Sequence, residues 1–541
     1  MSSIHFDAER DVLVVGSGGG ALTGAFVAAT EELSTLVIES TDKFGGTTCY
    51  SGGGVWLPGN AVNARAGVED SNDLALEYFR SVVGEQTPAE LQIAFVRNGP
   101  KLVDYLERSP RMQFGYMAFP DYYGDLGVPP AHARGRDIFP AGLPRAELGS
   151  FAEMLREGMP TDIAGQPPTD PVGGGRALVG RLLLALADTG NAELRLNTEM
   201  DRLIVEQGRV VGAEAMSQGR RLRIRARRGV LLAAGGFERN QAMRDEFGVA
   251  GSAEWSCGAP GGTGKAIRAG MEIGAGTGLM DESWWMPGLI QPYGRSGFIA
   301  AVNGGIMVNG VGERFGNETG PYDRLGRKMR AGQATGVEHV PAWWIWDSRF
   351  GPSVPTGFVS LPVLGHAEYA AAGLWKQGAT LEALAAEIGV PAAGLIRTVE
   401  RFNRFAATGV DEDFHRGETP YDIYIATELP AMFGRAETLP PGSPNPCLIP
   451  IETSPFHAAK IALGDLGTKG GLRTDAAARV LRPDGSVIEG LYAAGDTMSS
   501  AAGHAYPAPG TPIGTSMVFA YLAALDMARG LMTRPGWIGS L

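Results

Sequence analysis

Short apolar runs that end in glycine-rich breaks recur along this chain, and a run of that kind bounded by turn residues predicts a buried strand. Residues 11–15 (Asp-Val-Leu-Val-Val) form the first, followed by Gly16-Ser17-Gly18-Gly19-Gly20-Ala21 and an alanine-rich helical stretch to Ala29. Leu36-Val37-Ile38 predicts the next strand, which ends at Glu39. Val230-Leu231-Leu232-Ala233-Ala234 before Gly235-Gly236, and Gly490-Leu491-Tyr492-Ala493-Ala494 before Gly495-Asp496, have the same form and predict strands returning to that first sheet. Residues 193–196, 203–206, 210–215 and 222–226 predict an antiparallel subsheet. Helical periodicity covers residues 73–105 and 177–186, and residues 380–405 in two pieces broken at Gly389-Val390-Pro391. Further helices are expected to start after Gly262-Thr263-Gly264 and at Gly514-Thr515-Ser516. Residues 124–145 and 160–175, rich in Pro and Gly, predict surface loops and a lid.

These elements predict an α/β fold with an α+β insertion. A Rossmann-type domain is built from both chain ends, residues 1–280 and 455–541, and residues 281–454 form an inserted catalytic substrate domain. The insertion carries Trp284, Trp285, Trp343, Trp344, Trp346 and Trp375, expected as core packing or as the wall of an apolar pocket. At 541 residues, with 44% hydrophobic and 20% charged, the chain can fill more than one core. Its 47 basic and 59 acidic residues leave a net charge of −12, which disfavours nucleic acid and anionic bilayers as partners. Cys49, Cys257 and Cys447 are far apart and suggest neither a metal site nor a redox dithiol. No apolar run reaches the ~18 residues of a membrane span and no signal peptide is evident. A cytosolic placement is expected, with peripheral membrane contact left open.

The strand, glycine turn, helix and strand from Asp11 to Glu39 point to a dinucleotide. Gly16 permits the turn, Gly18 lets a pyrophosphate approach the helix N-terminus, and Glu39 can accept from ribose hydroxyls. Lys43-Phe44-Gly45-Gly46-Thr47-Thr48 and Ser51-Gly52-Gly53-Gly54 are too glycine-rich for a core helix and are expected to lie along an extended cofactor. The full cofactor-facing set is Gly16, Ser17, Gly18, Gly20, Ala21, Glu39, Ser40, Gly45, Gly46, Thr47, Thr48, Ser51, Gly52, Gly53, Ala234, Gly235, Gly495, Asp496, Gly514 and Ser516. His457, standing alone, reads as a structural hydrogen-bonder.

The chain resembles flavoproteins of the fumarate reductase and succinate dehydrogenase superfamily, and more closely the 3-ketosteroid Δ1-dehydrogenase family. The generic likeness rests on Gly16-x-Gly18, Glu39, Phe44-Gly45-Gly46-Thr47-Thr48, Ser51-Gly52-Gly53 and Gly495-Asp496, and implies noncovalent FAD. The specific likeness rests on Asp121-Tyr122-Tyr123, Gly312-x-Arg314-Phe315-x-Asn317-Glu318 leading to Pro321-Tyr322, Asp465-Leu466-Gly467-Thr468, and Tyr506-Pro-Ala-Pro-Gly510. It implies desaturation between C1 and C2 of a 3-ketosteroid, with Tyr322 as base for the C2 proton and flavin N5 taking the C1 hydride. Asp496 stands where Asn is as frequent, and residues 124–136 depart from the family's Pro-Glu pattern.

Such chemistry needs two donors at the C3 carbonyl oxygen, for which the Tyr506 hydroxyl and the Gly510 N–H are candidates. A phenol base also needs a donor that stabilises phenolate, and either Tyr122 or Tyr123 could supply it. An external, quinone-like electron acceptor is expected. Other readings are a 3-ketosteroid Δ4-(5α)-dehydrogenase, a fumarate reductase-like flavoenzyme, a flavin-dependent hydratase, and a steroid-binding flavoprotein without turnover.

Overall fold

In the computed structural model, which describes residues 5–124, 130–302, 304–351, 353–429 and 443–529, the first expected unit forms as strand Ala8–Val15, helix Gly19–Thr30 and strand Thr35–Ile38. The two strands pair in parallel, with Val12 opposite Thr35 and Val15 opposite Ile38. The helix is buried from Gly19 to Ala29, so it has no solvent face, and its glycines set how closely it packs. A Cβ on Gly20 would fall 2.0 Å from Ser516 Oγ, and one on Gly24 would fall 2.5 Å from Leu231 Cδ2. Only hydrogen at these positions lets the helix lie between the sheet and the C-terminal helix, Thr511–Arg529.

The first sheet runs Arg479–Leu481, Val487–Ala493, Arg220–Leu232, Ala8–Val15, Thr35–Ile38 and Ala192–Arg195. Two sequence expectations change here. Residues 222–226 and 230–232 belong to one strand of 13 residues, because no turn-forming pair separates the half-exposed, arginine-alternating end from the buried end. It pairs antiparallel with Arg209–Ser217 and parallel with the first strand. Residues 192–195 pair in parallel with Thr35–Ile38 and are not part of the antiparallel hairpin.

The second sheet runs Ile306–Val308, Ala342–Asp347, Phe456–Thr468, Ser283–Ile290, Ser296–Val302 and Thr356–Val359. Its long strand Phe456–Thr468 also pairs with Trp375–Gly378, so residues 456–468, expected with the cofactor domain, hydrogen-bond within the inserted layer. The six tryptophans are buried on or beside this sheet. His457 accepts the Trp375 indole N–H at Nδ1, 3.2 Å away, a structural role.

Several boundaries also move. Residues 73–105 form two helices, Asn72–Val83 and Ala89–Leu106, parted at Gly84. The predicted loop 124–145 contains a strand, Asp137–Pro140, held between Val55–Trp56 and Phe114–Tyr116. Its four residues are too few to show a period; residues 125–129 of that loop lie outside the described residues. The C-terminal helix begins at Thr511, not Gly514, because Gly510 with φ +75° ends the preceding loop there. Among the described residues no helix is long and apolar enough to cross a membrane.

Candidate active site

A cavity of about 580 Å³ runs from the first glycine turn to the inserted sheet. Of the expected cofactor residues, all but Gly45 and Gly514 line it. Gly45 instead packs on Cys49, whose Sγ lies 2.2 Å from where its Cβ would be, and its N–H donates to Ser17 Oγ at 2.9 Å. Gly514 faces the carbonyl of Trp56, and its own N–H is spent on the Gly510 carbonyl, 2.9 Å away, inside the helix. Pro512 has no N–H and that of Thr511 is spent on the Ala508 carbonyl at 3.3 Å, so among the described residues the free N–H groups at this helix start are those of Gly510 and Ile513 rather than of Gly514 to Ser516.

The cradle fits an extended dinucleotide. Glu39 is buried and accepts from Ser17 Oγ at 2.6 Å and from the Thr41 N–H at 2.9 Å, which fixes its carboxylate at the strand end. A Cβ on Gly16 would strike the Ala233 carbonyl at 2.3 Å, so the turn can form only with glycine there. A Cβ on Gly46, Gly52 or Gly235 would meet nothing within 4 Å, which leaves bare backbone open to a ligand. Asp496 accepts the Trp284 indole N–H at 3.0 Å; burial raises its carboxyl to about 6 against the lowering by that bond and by Lys469.

At the other end three phenols meet. Tyr322 is the first residue of helix Tyr322–Gln333, where Pro321 sets the entry; the sequence pattern predicts a strand-to-loop junction instead. Its hydroxyl donates to Tyr506 Oη at 2.8 Å. The Tyr122 ring stands edge-on to Tyr322 at 5.7 Å and to Tyr506 at 5.2 Å. Its buried hydroxyl has no well-formed hydrogen bond among the described residues. Tyr123 does not line the cavity: the Arg324 guanidinium covers its ring at 5.7 Å. Backbone bonds clamp the phenols together, since the Pro507 carbonyl accepts both the Tyr122 N–H at 3.0 Å and the Tyr78 hydroxyl at 2.5 Å. Gly510 lines the same wall and its N–H donates no hydrogen bond among the described residues.

Burial pushes the Tyr322 phenol up, and the hydroxyls of Tyr122 and Tyr506 pull it down. Tyr122 and Tyr506 are raised well above the ordinary tyrosine value, first by burial. The remaining wall is apolar or aromatic: Met117, Phe119, Phe139, Phe298, Phe358 and Leu429, with Tyr421 beside Tyr122 at 5.0 Å.

Other contributors are Lys469, Glu238 and the Arg244–Asp465 pair, of which only Asp465 belongs to a motif that carries the family likeness. Lys469 is fully buried, donates to the carbonyls of His504 and Ala505 at 3.0 and 2.6 Å, and lies 4.0 Å over the Trp284 ring. It thereby anchors the backbone just before Tyr506. Glu238, walled by Gly236, Gly258 and Gly262, lines the cavity with one carboxyl oxygen unpartnered among the described residues; burial, then Asp496, raise it to about 8. Its position after Gly235-Gly236-Phe237 was the available signal. Nearby, Arg244 and Asp465 form a fully buried pair at 2.6 Å that joins the segment after the glycine turn to the central strand of the inserted sheet.

A parallel sheet with glycine turns aimed into one long cavity defines a flavoprotein of the dinucleotide-binding class, and the FAD binding domain family matches residues 11–513. A 3-oxosteroid 1-dehydrogenase of Rhodococcus opacus is 39% identical over 96% of this chain and 99% of its own. A 4-oxocyclohexanecarboxylate 2-dehydrogenase of Sinomonas cyclohexanicum is 37% identical over 96% of this chain and 92% of its own. The crystal structure of 3-ketosteroid delta1-dehydrogenase from Sterolibacterium denitrificans, in complex with 1,4-androstadiene-3,17-dione, superposes with a TM-score of 0.86 at 35% identity, covering 96% of this chain and 100% of that one. The chain belongs to the 3-ketosteroid Δ1-dehydrogenase family of FAD-binding flavoproteins.

Proposed function

We propose that the protein desaturates the A ring of 3-ketosteroids between C1 and C2. The observation that carries this reading is the Tyr322–Tyr506 hydrogen bond of 2.8 Å beside the unspent N–H of Gly510, in a cavity continuous with the glycine cradle. FAD, when bound there, supplies the acceptor for the C1 hydride. With substrate present the Tyr506 O–H turns toward the carbonyl oxygen, and the Gly510 N–H offers a second donor. Together they stabilise the negative charge that develops at C3 as the C2 proton leaves. Tyr322 takes that proton. Before that transfer Tyr322 is the phenolate, and Tyr122, whose hydroxyl is otherwise unpartnered among the described residues, is the donor that stabilises it.

The two substrate classes named among the relatives differ in charge, and the cavity favours the neutral one. Its cations among the described residues are committed: Arg156 to Asp162 at 2.9 Å and to Thr41, and Lys265 to Glu199 at 2.6 Å. A ring keto acid would bury its carboxylate without a partner, whereas a steroid skeleton matches the aromatic walls. The test is anaerobic addition of androst-4-ene-3,17-dione and, separately, of 4-oxocyclohexanecarboxylate. Bleaching of the flavin by the steroid with formation of the 1,4-diene is expected; bleaching by the keto acid alone would replace the steroid reading. Turnover assays require an added acceptor such as a soluble quinone.

A further inference from the structure

Behind the Gly510 wall lies Asp137, the first residue of the Asp137–Pro140 strand and fully buried. Neither of its carboxyl oxygens has a hydrogen-bond partner among the described residues. The adjacent cation, Arg136, is committed to Asp70 at 3.0 Å and to Asp121. Asp121 in turn receives the Trp56 indole N–H at 3.1 Å and the His132 N–H at 2.9 Å. The adjacent guanidinium is thus shared by two other carboxylates and is not spent on a third. Asp137 Oδ1 lies 2.8 Å from where a Cβ on Gly510 would sit and 3.7 Å from where one on Gly54 would sit. The acid therefore abuts both glycines whose backbones form this part of the cavity wall.

A buried carboxylate without donors loses its hydration and recovers nothing, so the group takes up a proton instead. Burial and the charge of Asp121 raise Asp137 well above the usual carboxylate range, against the lowering by Arg136. Once neutral, it carries an O–H donor. The Gly54 carbonyl approaches within 2.6 Å of the same point beside Gly510 that Oδ1 approaches, which makes it the acceptor at hand. We propose that Asp137 stands as a neutral carboxylic acid against the Gly54–Gly510 contact, a positioning residue that fixes the Gly510 N–H and keeps negative charge away from the substrate carbonyl. The groups that would sense its ionisation are Asp121, Arg136 and Tyr116 on its own side and Tyr322, Tyr506 and Tyr424 across the wall. A carboxylate here would oppose enolate formation at the oxygen that Tyr506 and Gly510 hold.

The positioning half of this proposal rests on the desaturation reading; the protonation half does not. Infrared difference spectra of the FAD-loaded enzyme and its Asp137→Asn variant at pH 7 to 8 are expected to show the carbonyl stretch of a protonated acid that the variant lacks. No such band would overturn the neutral state. In stopped-flow reduction by androst-4-ene-3,17-dione, Asp137→Asn, which keeps a donor, should stay within about threefold of wild type. Asp137→Leu should lose at least tenfold in kcat with KM little changed and FAD content retained; Asp137→Ala is read the same way if the leucine variant does not fold. Full activity in a donor-less variant would overturn the positioning role. A wild-type flavin that the steroid never reduces would sink the desaturation reading, while the infrared band would still judge Asp137.

Discussion

Replacing Gly510 by alanine tests the carbonyl-binding wall most directly. Its φ of +75° lies where an L-residue with a side chain is strained, by ~1–2 kcal/mol. The added methyl would sit 2.6 Å from the Gly54 carbonyl carbon and oxygen and 2.8 Å from Asp137 Oδ1. Ordinary contact needs roughly 3.4 Å or more, so the loop must retreat by most of an ångström, and the obstacle is backbone that cannot rotate away. A displacement of that size removes the Gly510 N–H from hydrogen-bonding range, and loss of one such donor costs ~3 kcal/mol, or about 10²-fold in rate. Gly510→Ala is therefore expected to retain FAD, since Gly510 lies at the far end of the cavity from the Glu39 cradle. The first-order rate of flavin reduction by a saturating 3-ketosteroid should fall about 100-fold in an anaerobic stopped-flow experiment. A rate within threefold of wild type would refute the assignment of that N–H to the substrate oxygen. Loss of bound flavin would instead mean that the loop is structural.

Tyr322→Phe should keep the flavin spectrum of the oxidised enzyme and lose at least ~10³-fold in reduction rate, since the base is gone while the walls remain; turnover within tenfold of wild type would move the base elsewhere. Burial raises the Tyr322 phenol, and the reaction needs its ionised form, so reduction should accelerate as pH rises from 6 toward 9; a rate falling over that range would contradict the sign. Glu238 is raised from the ordinary 4.5 to about 8, so the folded state holds its proton more tightly than the unfolded state does. That contribution favours folding below pH 4.5 and is lost as pH climbs to about 8, at up to ~1.4 kcal/mol per pH unit. Glu238→Gln should therefore flatten the fall in Tm between pH 5.5 and 8.5, and an unchanged slope in differential scanning calorimetry would show that Glu238 is not the group responsible.

Sequence reasoning reached furthest where local chemistry forces one outcome. Gly16 admits no Cβ beside the Ala233 carbonyl, and an apolar run before it leaves no alternative to a buried strand, so the turn could be read directly. The phenols were legible only through family motifs, because Tyr122, Tyr322 and Tyr506 come from segments about 200 residues apart and nothing local says that they meet. The choice between Tyr122 and Tyr123 needed coordinates: the pair lies in a turn, where the alternation of a strand does not apply, and it is held by the Tyr122 N–H on the Pro507 carbonyl and the Tyr123 N–H on the Tyr78 hydroxyl. The strand Asp137–Pro140 leaves no pattern in the sequence, because it and its partners Val55–Trp56 and Phe114–Tyr116 are each too short to show a period. Sheet membership of residues 456–468 was equally hidden: their apolar pattern suits either layer, and pairing with Ser283–Ile290 and Ala342–Asp347 decides it.

The buried pair between Arg244 and Asp465 bears on how the two sheets are fastened together. It crosses from helix Gln241–Phe247 to the strand Phe456–Thr468 without solvent on either partner. Replacing either partner alone would leave the other charge buried without its counter-ion, at a cost of ~3–5 kcal/mol. The pair thus pins that helix to the second sheet on this flank.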